Sequence, residues 1–161
     1  MANITYLLLG SNLGNKKQNL EQAISYLALQ AGRILNHSAI YETLAWGNTD
    51  QPSYLNQVLQ IETTLQAQLL LQTINQIEKE LGRQRRIRWE SRLIDIDILY
   101  YNNLVLQTES LIIPHPQIAF RRFTLVPLAE IAPDFIHPVL KKSNNELLQA
   151  CQDTLDVLSL D

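Results

Sequence analysis

The chain predicts an α+β fold built on an antiparallel sheet, and three observations predict it. Four short runs of β-branched or aliphatic residues read as strands, two stretches repeat apolar residues at helical spacing, and the order along the chain is strand, helix, strand, strand, helix, strand. In that order both helices lie on one face of the sheet.

Each element has its own reason. Ile4 to Leu9 reads as a buried strand that stops at the turn-forming Gly10-Ser11-Asn12-Leu13-Gly14. Leu20, Ile24, Leu27 and Ala31 then recur on one helical face until Gly32. Ile34 to Glu42 and Leu55 to Thr63 read as two strands, joined by a long loop whose Gly47-Asn48-Thr49-Asp50-Gln51-Pro52-Ser53 supplies turn chemistry. Leu70, Ile74, Ile77 and Leu81 mark the second helix, with Thr64 as its cap and Gly82 as its stop. The fourth strand lies in RWESRLIDIDILYY, residues 88–101, and closes a ferredoxin-like βαββαβ arrangement. After it, an Asn102-Asn103 turn, a short Leu104–Leu106 strand and five prolines predict short extra elements that extend the same domain, 1–161.

Bulk composition narrows the function. A length of 161 residues suits one domain, and a net charge of −3 makes the whole molecule a poor candidate for nucleic-acid or membrane binding. The single cysteine, Cys151, excludes an internal disulfide and reads as a helical packing residue. The N-terminal MANITYLLLGS lacks the basic flank and apolar length of a signal peptide, and no window is long enough to span a bilayer, so a cytoplasmic protein is expected.

The fourth strand contains an anomaly. Aspartate is disfavoured in strands because its short side chain competes for backbone hydrogen bonds, yet Asp95 and Asp97 stand among isoleucines. Ile94, Ile96 and Ile98 point to one face, toward the helices, while Leu93, Asp95, Asp97 and Leu99 point to the other. The two carboxylates then have Cα atoms about 6.5–7 Å apart, close enough to share cations, and oxygen ligands of this kind favour magnesium over zinc.

Just upstream, Arg83, Arg85, Arg86, Arg88 and Arg92 place five of the thirteen basic residues within ten positions. Such a run can be a solvated surface, or can grip RNA phosphates with Trp89 stacking a base. Next to two acids, it argues instead for arginine forks and metal acting together on a nucleotide triphosphate. Neither GxxxxGK[ST] nor GxGxxG occurs, so the arginine segment must substitute for a glycine-rich phosphate loop. A kinase that moves only the γ-phosphoryl group, or an RNA-binding module on the same fold, remains an alternative at this point.

Five segments together resemble the 6-hydroxymethyl-7,8-dihydropterin pyrophosphokinases of folate biosynthesis: LLLGSNLG at 7–14, YETLAWGNTDQPSYLNQV at 41–58, IEKELGRQR at 77–85, RWESRLIDIDIL at 88–99 and IIPHPQIAFRRFTLVPLAEIAP at 112–133. The resemblance covers nearly the whole chain. It implies a ferredoxin-like fold and transfer of the β,γ-pyrophosphoryl group of ATP to the pterin hydroxymethyl oxygen, with release of AMP. It further implies two Mg2+ ions on Asp95 and Asp97 and small-molecule partners, ATP and the pterin. With the charge and hydropathy above, no nucleic-acid or membrane partner is expected, and a monomer is expected although the sequence itself does not set the oligomeric state.

By the same resemblance, Arg83 and Arg92 join the two aspartates as catalytic residues. Arg83, Arg85, Arg88, Arg92, His115 and Arg121 are expected to hold ATP phosphates, Glu78 its ribose or adenine side, and Ile98 its adenine. Thr43, Leu44, Trp46, Tyr54 and Asn56 are expected to line the pterin site, with Trp89 and Phe123 stacking on the ring. Asn56 is the side chain best suited to the pyrimidinone edge, since an amide both donates and accepts. His37, His137, Tyr41, Tyr100 and Tyr101 read as structural. Two departures from the family pattern stand out: Glu90-Ser91 where a glycine is usual, and Ala45 where a proline is common.

Overall fold

The computed structural model describes residues 2–43, 52–82 and 93–160. Its elements run β1 (Asn3–Ser11), α1 (Lys16–Gln30), β2 (Arg33–His37), β3 (Tyr41–Thr43), β4 (Tyr54–Thr63), α2 (Ala67–Gly82), β5 (Asp95–Tyr101), β6 (Leu106–Gln107), β7 (Ile112–Ile113), a 3-10 turn (Ile118–Phe120), α3 (Arg122–Ile131), α4 (Asn144–Ala150) and β8 (Leu158–Ser159). The main sheet orders β5-β1-β4-β3-β8 with β2 also on β4, and every pairing is antiparallel. This is the ferredoxin-like arrangement expected from the sequence, with additions.

Strand alternation gives the sheet two apolar faces. Leu7 and Leu9 of β1, Leu59 and Ile61 of β4, and Ile96 and Ile98 of β5 pack beneath α1 and α2, which contribute Leu20, Ala23, Leu27, Leu70, Ile74 and Ile77. At the end of α1, a Cβ on Gly32 would collide with the carbonyl oxygen of Glu62, so glycine lets the helix close onto β4.

The opposite face departs from expectation: it is not bare. Tyr6, Leu8, Val58, Leu99 and Tyr100 pack against Leu125 and Leu128 of α3 and Leu147 of α4, so helices cover part of both faces. The prolines and short apolar runs after residue 110 signalled extra elements, but not that their apolar side needed a partner. A register shift between Tyr6 and Leu7 on β1 makes the change possible on β5: Leu7 pairs with Ile98, Tyr6 with Tyr100, and Leu99 is the extra residue. Leu99 and Tyr100 both then turn to the second core, and the buried Thr5 hydroxyl donates to the Tyr100 carbonyl at 2.6 Å.

Three local expectations need correction. The predicted strand 34–42 is two, because Ser38 interrupts it: the Val58 amide donates to Ser38 Oγ at 2.9 Å while the Ser38 amide donates to the Val58 carbonyl at 2.9 Å. Helix α2 is not capped by Thr64. It starts at Ala67, and the Leu65 amide donates to the Thr63 hydroxyl oxygen at 3.1 Å, a turn that competes with earlier helix formation. The strand expected at Leu104–Leu106 is the two-residue β6, paired with β7.

Candidate active site

A cleft of about 430 Å³ opens on the second face, beyond the end of the α3 packing. Leu8, Gly10, Thr43, Tyr54, Asn56, Asp95, Asp97, Gln117, Phe120, Arg121 and Phe123 line it. Sheet register explains the grouping. Gly10 pairs with Asp95 on one side and Asn56 on the other, and in the next row but one Leu8 pairs with Asp97 and Val58. One row of the floor therefore reads carboxylate, no side chain, carboxamide.

Gly10 keeps that row open. A Cβ there would come within 2.8 Å of Asn56 Nδ2, so any larger residue would push the carboxamide aside and fill the hollow. Asn56 is 4% exposed; its Nδ2 donates to the Leu9 carbonyl at 3.3 Å, while its Oδ1 has no hydrogen-bond partner among the described residues. A buried acceptor left unsatisfied costs about 1–3 kcal/mol, and its presence on a cleft wall points to a donor brought by a ligand.

Asp95 and Asp97 are half-buried at the cleft wall, on the same face of β5, as alternation required. Ile94, Ile96 and Ile98 point into the helix-side core. Among the described residues no group of three or more His, Cys, Asp or Glu forms a closed metal cage. Two carboxylates with the rest of the shell left to phosphate oxygens and water is the donor set magnesium prefers.

Arg121 and Phe123 come from the start of α3, where the Arg121 guanidinium lies 5.6 Å from the Phe123 ring centroid. His115 sits behind them: its amide donates to the carbonyl of the bulged Leu99 at 3.0 Å, and the Gln117 amide donates to its Nδ1 at 3.1 Å. Burial lowers the His115 pKa, with nearby Asp97 opposing and Arg121 adding to the effect. A neutral ring whose Nδ1 accepts carries its proton on Nε2, and so is a donor.

Of the residues expected from the sequence, Thr43, Tyr54, Asn56, Asp95, Asp97, Arg121 and Phe123 meet at one cleft, and His115 adjoins it. Two others lie elsewhere. The Ile98 side chain is 4% exposed in the α1/α2 core, so no side-chain packing on a ligand in the cleft is open to it. Glu78 on α2 accepts from the Ile96 amide at 2.7 Å, on the helix side of β5. Leu44, Trp46, Arg83, Arg85, Arg88, Trp89 and Arg92 lie outside the described residues. Sequence reasoning missed Leu8, Gly10, Gln117 and Phe120 as lining residues; Phe120, 66% exposed, follows the apolar Ile118-Ala119 and so reads locally as one more packing residue.

A ferredoxin-like sheet with two carboxylates, an amide and aromatic rings around one cleft has the make-up of a small-molecule site, and comparison with known proteins gives the class and the family. The model of the 7,8-dihydro-6-hydroxymethylpterin-pyrophosphokinase (HPPK) family matches residues 6–133. A 2-amino-4-hydroxy-6-hydroxymethyldihydropteridine pyrophosphokinase of Bacillus subtilis is 46% identical over 132 residues, covering 81% of this chain and 79% of the relative. One of the same name from Aquifex aeolicus is 43% identical over 143 residues, covering 88% of each. Among solved structures, the Plasmodium falciparum HPPK-DHPS with pteroate shares the fold at TM-score 0.76 and 16% identity, over 93% of this chain. This chain spans only 44% of that longer one. The chain belongs to the 7,8-dihydro-6-hydroxymethylpterin-pyrophosphokinase family and is a diphosphotransferase of folate biosynthesis.

Proposed function

We propose that the cleft binds 6-hydroxymethyl-7,8-dihydropterin beside ATP, and that the β,γ-pyrophosphoryl group passes to the pterin hydroxymethyl oxygen with release of AMP. The observation that supports this most is the floor row Asp95, Gly10, Asn56, which sets a cation-binding acid beside an unsatisfied amide acceptor across an empty glycine. Asn56 Oδ1 accepts from the pterin's amine edge, Phe123 stacks on the ring, and Thr43 and Tyr54 close the side wall. Arg121 and neutral His115 donate to phosphate oxygens, joined by Arg83, Arg85, Arg88 and Arg92 of the segment outside the described residues.

Asp95 and Asp97 would hold two Mg2+ ions; when bound, these neutralise charge on the triphosphate and at the bridging oxygen that leaves with AMP. What the chain itself contributes is alignment: the hydroxymethyl group is held at the acid end of the floor row because the ring is fixed at the amide end. Helices α3 and α4 cover part of the sheet face that an RNA-binding module would keep open, which weighs against that alternative. As one domain, the chain is proposed to act as a monomer in the cytoplasm; no helix among the described residues is long and apolar enough to cross a membrane.

Product analysis tests the reaction. AMP and pterin diphosphate formed one for one are expected; ADP with a pterin monophosphate would contradict it.

A further inference from the structure

The first turn of α3 carries two walls of the cleft, Arg121 at its N-cap and Phe123 two residues on, and the N-cap side chain leaves its leading amide to another part of the chain. Arg121 makes no side-chain cap. Pro127 lies inside the helix and has no N–H, so the bond that the Phe123 carbonyl would accept from that position is missing. The leading amide is satisfied from elsewhere: Arg122 N donates to Asp153 Oδ2 at 3.0 Å. The other oxygen, Asp153 Oδ1, accepts from Leu155 N at 3.0 Å, which fixes the carboxylate in its own turn. Asp153 is thus an N-cap supplied 31 residues downstream, from a segment beyond the 6–133 that the family model matches.

The same segment reaches the opposite wall. From 151 to 158 its residues alternate between half-buried and exposed, as in a strand lying on a surface. It ends as β8, with Leu158 opposite Glu42 and Ser159 opposite Tyr41, and Leu160 N donates to the Ile40 carbonyl at 3.0 Å. Its partner β3 presents Thr43 to the cleft.

We propose that Asp153 is a positioning residue for substrate recognition, and that the tail carrying it sets the Arg121–Phe123 wall against the Thr43 wall. The inference rests on the pterin pyrophosphokinase reading for its readout.

Steady-state kinetics of the full-length protein test it with Asp153→Ala, Asp153→Asn and Leu160→Pro. Asp153→Ala is expected to raise the KM for pterin about three- to tenfold while kcat stays within about twofold, since loss of a cap loosens a wall and touches no reacting atom. Asp153→Asn keeps one acceptor oxygen where the carboxylate uses two, so it can serve either the Arg122 or the Leu155 N–H, and its pterin KM is expected to lie between those of wild type and Asp153→Ala. Leu160→Pro removes the donor to Ile40 and is expected to raise the same KM. Unchanged pterin KM in both Asp153→Ala and Leu160→Pro, with only a lower melting temperature, overturns the proposal. Should Asp153→Ala not fold, Leu160→Pro decides on the same criterion. A wild type that forms no pterin diphosphate sinks the functional reading alone, and pterin affinity by fluorescence titration then decides the positioning role on the same outcomes.

Discussion

The two faces of the sheet are built from the same strands and serve different ends. Under α1 and α2, Leu7 and Leu9 of β1, Leu59 and Ile61 of β4, and Ile96 and Ile98 of β5 are aliphatic and closed to solvent. Under α3 and α4 the same strands are apolar only as far as Leu8, which belongs both to the packed cluster and to the cleft wall. Beside it on β5 stands Asp97, and past it stand Gly10, Asn56 and Asp95. Alternation alone makes two faces; what divides the second into a packed half and an open, polar half is where α3 stops covering it. A polar residue on a strand thus carries different information depending on which end of the strand it occupies.

The comparison breaks most visibly at the acid pair. Asp97→Ala is expected to lower turnover about a thousandfold or more without loss of thermal stability, since it also removes like-charge repulsion with Asp95. Turnover within about tenfold of wild type would detach the acids from the chemistry. On the dry face the consequences reverse. Ile74 is fully buried there, and Ile74→Ala is expected to cost about 3 kcal/mol of unfolding free energy in denaturant while leaving kcat/KM near wild type wherever the protein is folded.

Gly10 sharpens the boundary, because its added methyl meets only the end of the Asn56 side chain. Gly10→Ala should keep the fold and weaken pterin binding about tenfold, measured by titration; a loss of stability with unchanged affinity would place Gly10 on the structural side.

The smallest effect is a pH dependence confined to the second face. Burial lowers the pKa of His137, whose Nδ1 accepts from Val139 N at 3.2 Å and Leu140 N at 3.0 Å. The unfolded chain therefore takes up this proton at a higher pH than the folded one. Its contribution to stability is complete above the unfolded pKa of about 6.5 and is lost as pH falls from there through the folded value. His137→Asn keeps an acceptor and removes the titration, so its melting temperature should fall less between about pH 7.5 and about pH 5.5 than that of wild type. Identical pH profiles would contradict this.

Much of this was legible in the sequence because it depends on period. Two-residue alternation set Ile94, Ile96 and Ile98 against Asp95 and Asp97, and helical spacing found the buried stripe Leu70, Ile74, Ile77 of α2. What alternation could not carry was interruption. The bulge at Leu99 turns two successive residues to one face, and Ser38 replaces a backbone partner with its hydroxyl; both are decided by tertiary pairing with β1 and β4. Glycine was read as a strand stop at Gly10, where it is a floor, because a missing side chain has the same local signature in a turn and in a hollow. The cap that Asp153 supplies to α3 has no local signature, since donor and acceptor lie 31 residues apart.

The central claim is that Asp95 and Asp97 bind nucleotide through a divalent cation, and calorimetric titration with a non-hydrolysable ATP analogue addresses it most directly. Wild type is expected to bind the analogue with magnesium and to lose most of that affinity when the ion is chelated, while the Asp95→Asn, Asp97→Asn double variant binds weakly with or without it. Equal, magnesium-enhanced affinity in wild type and double variant would contradict the account.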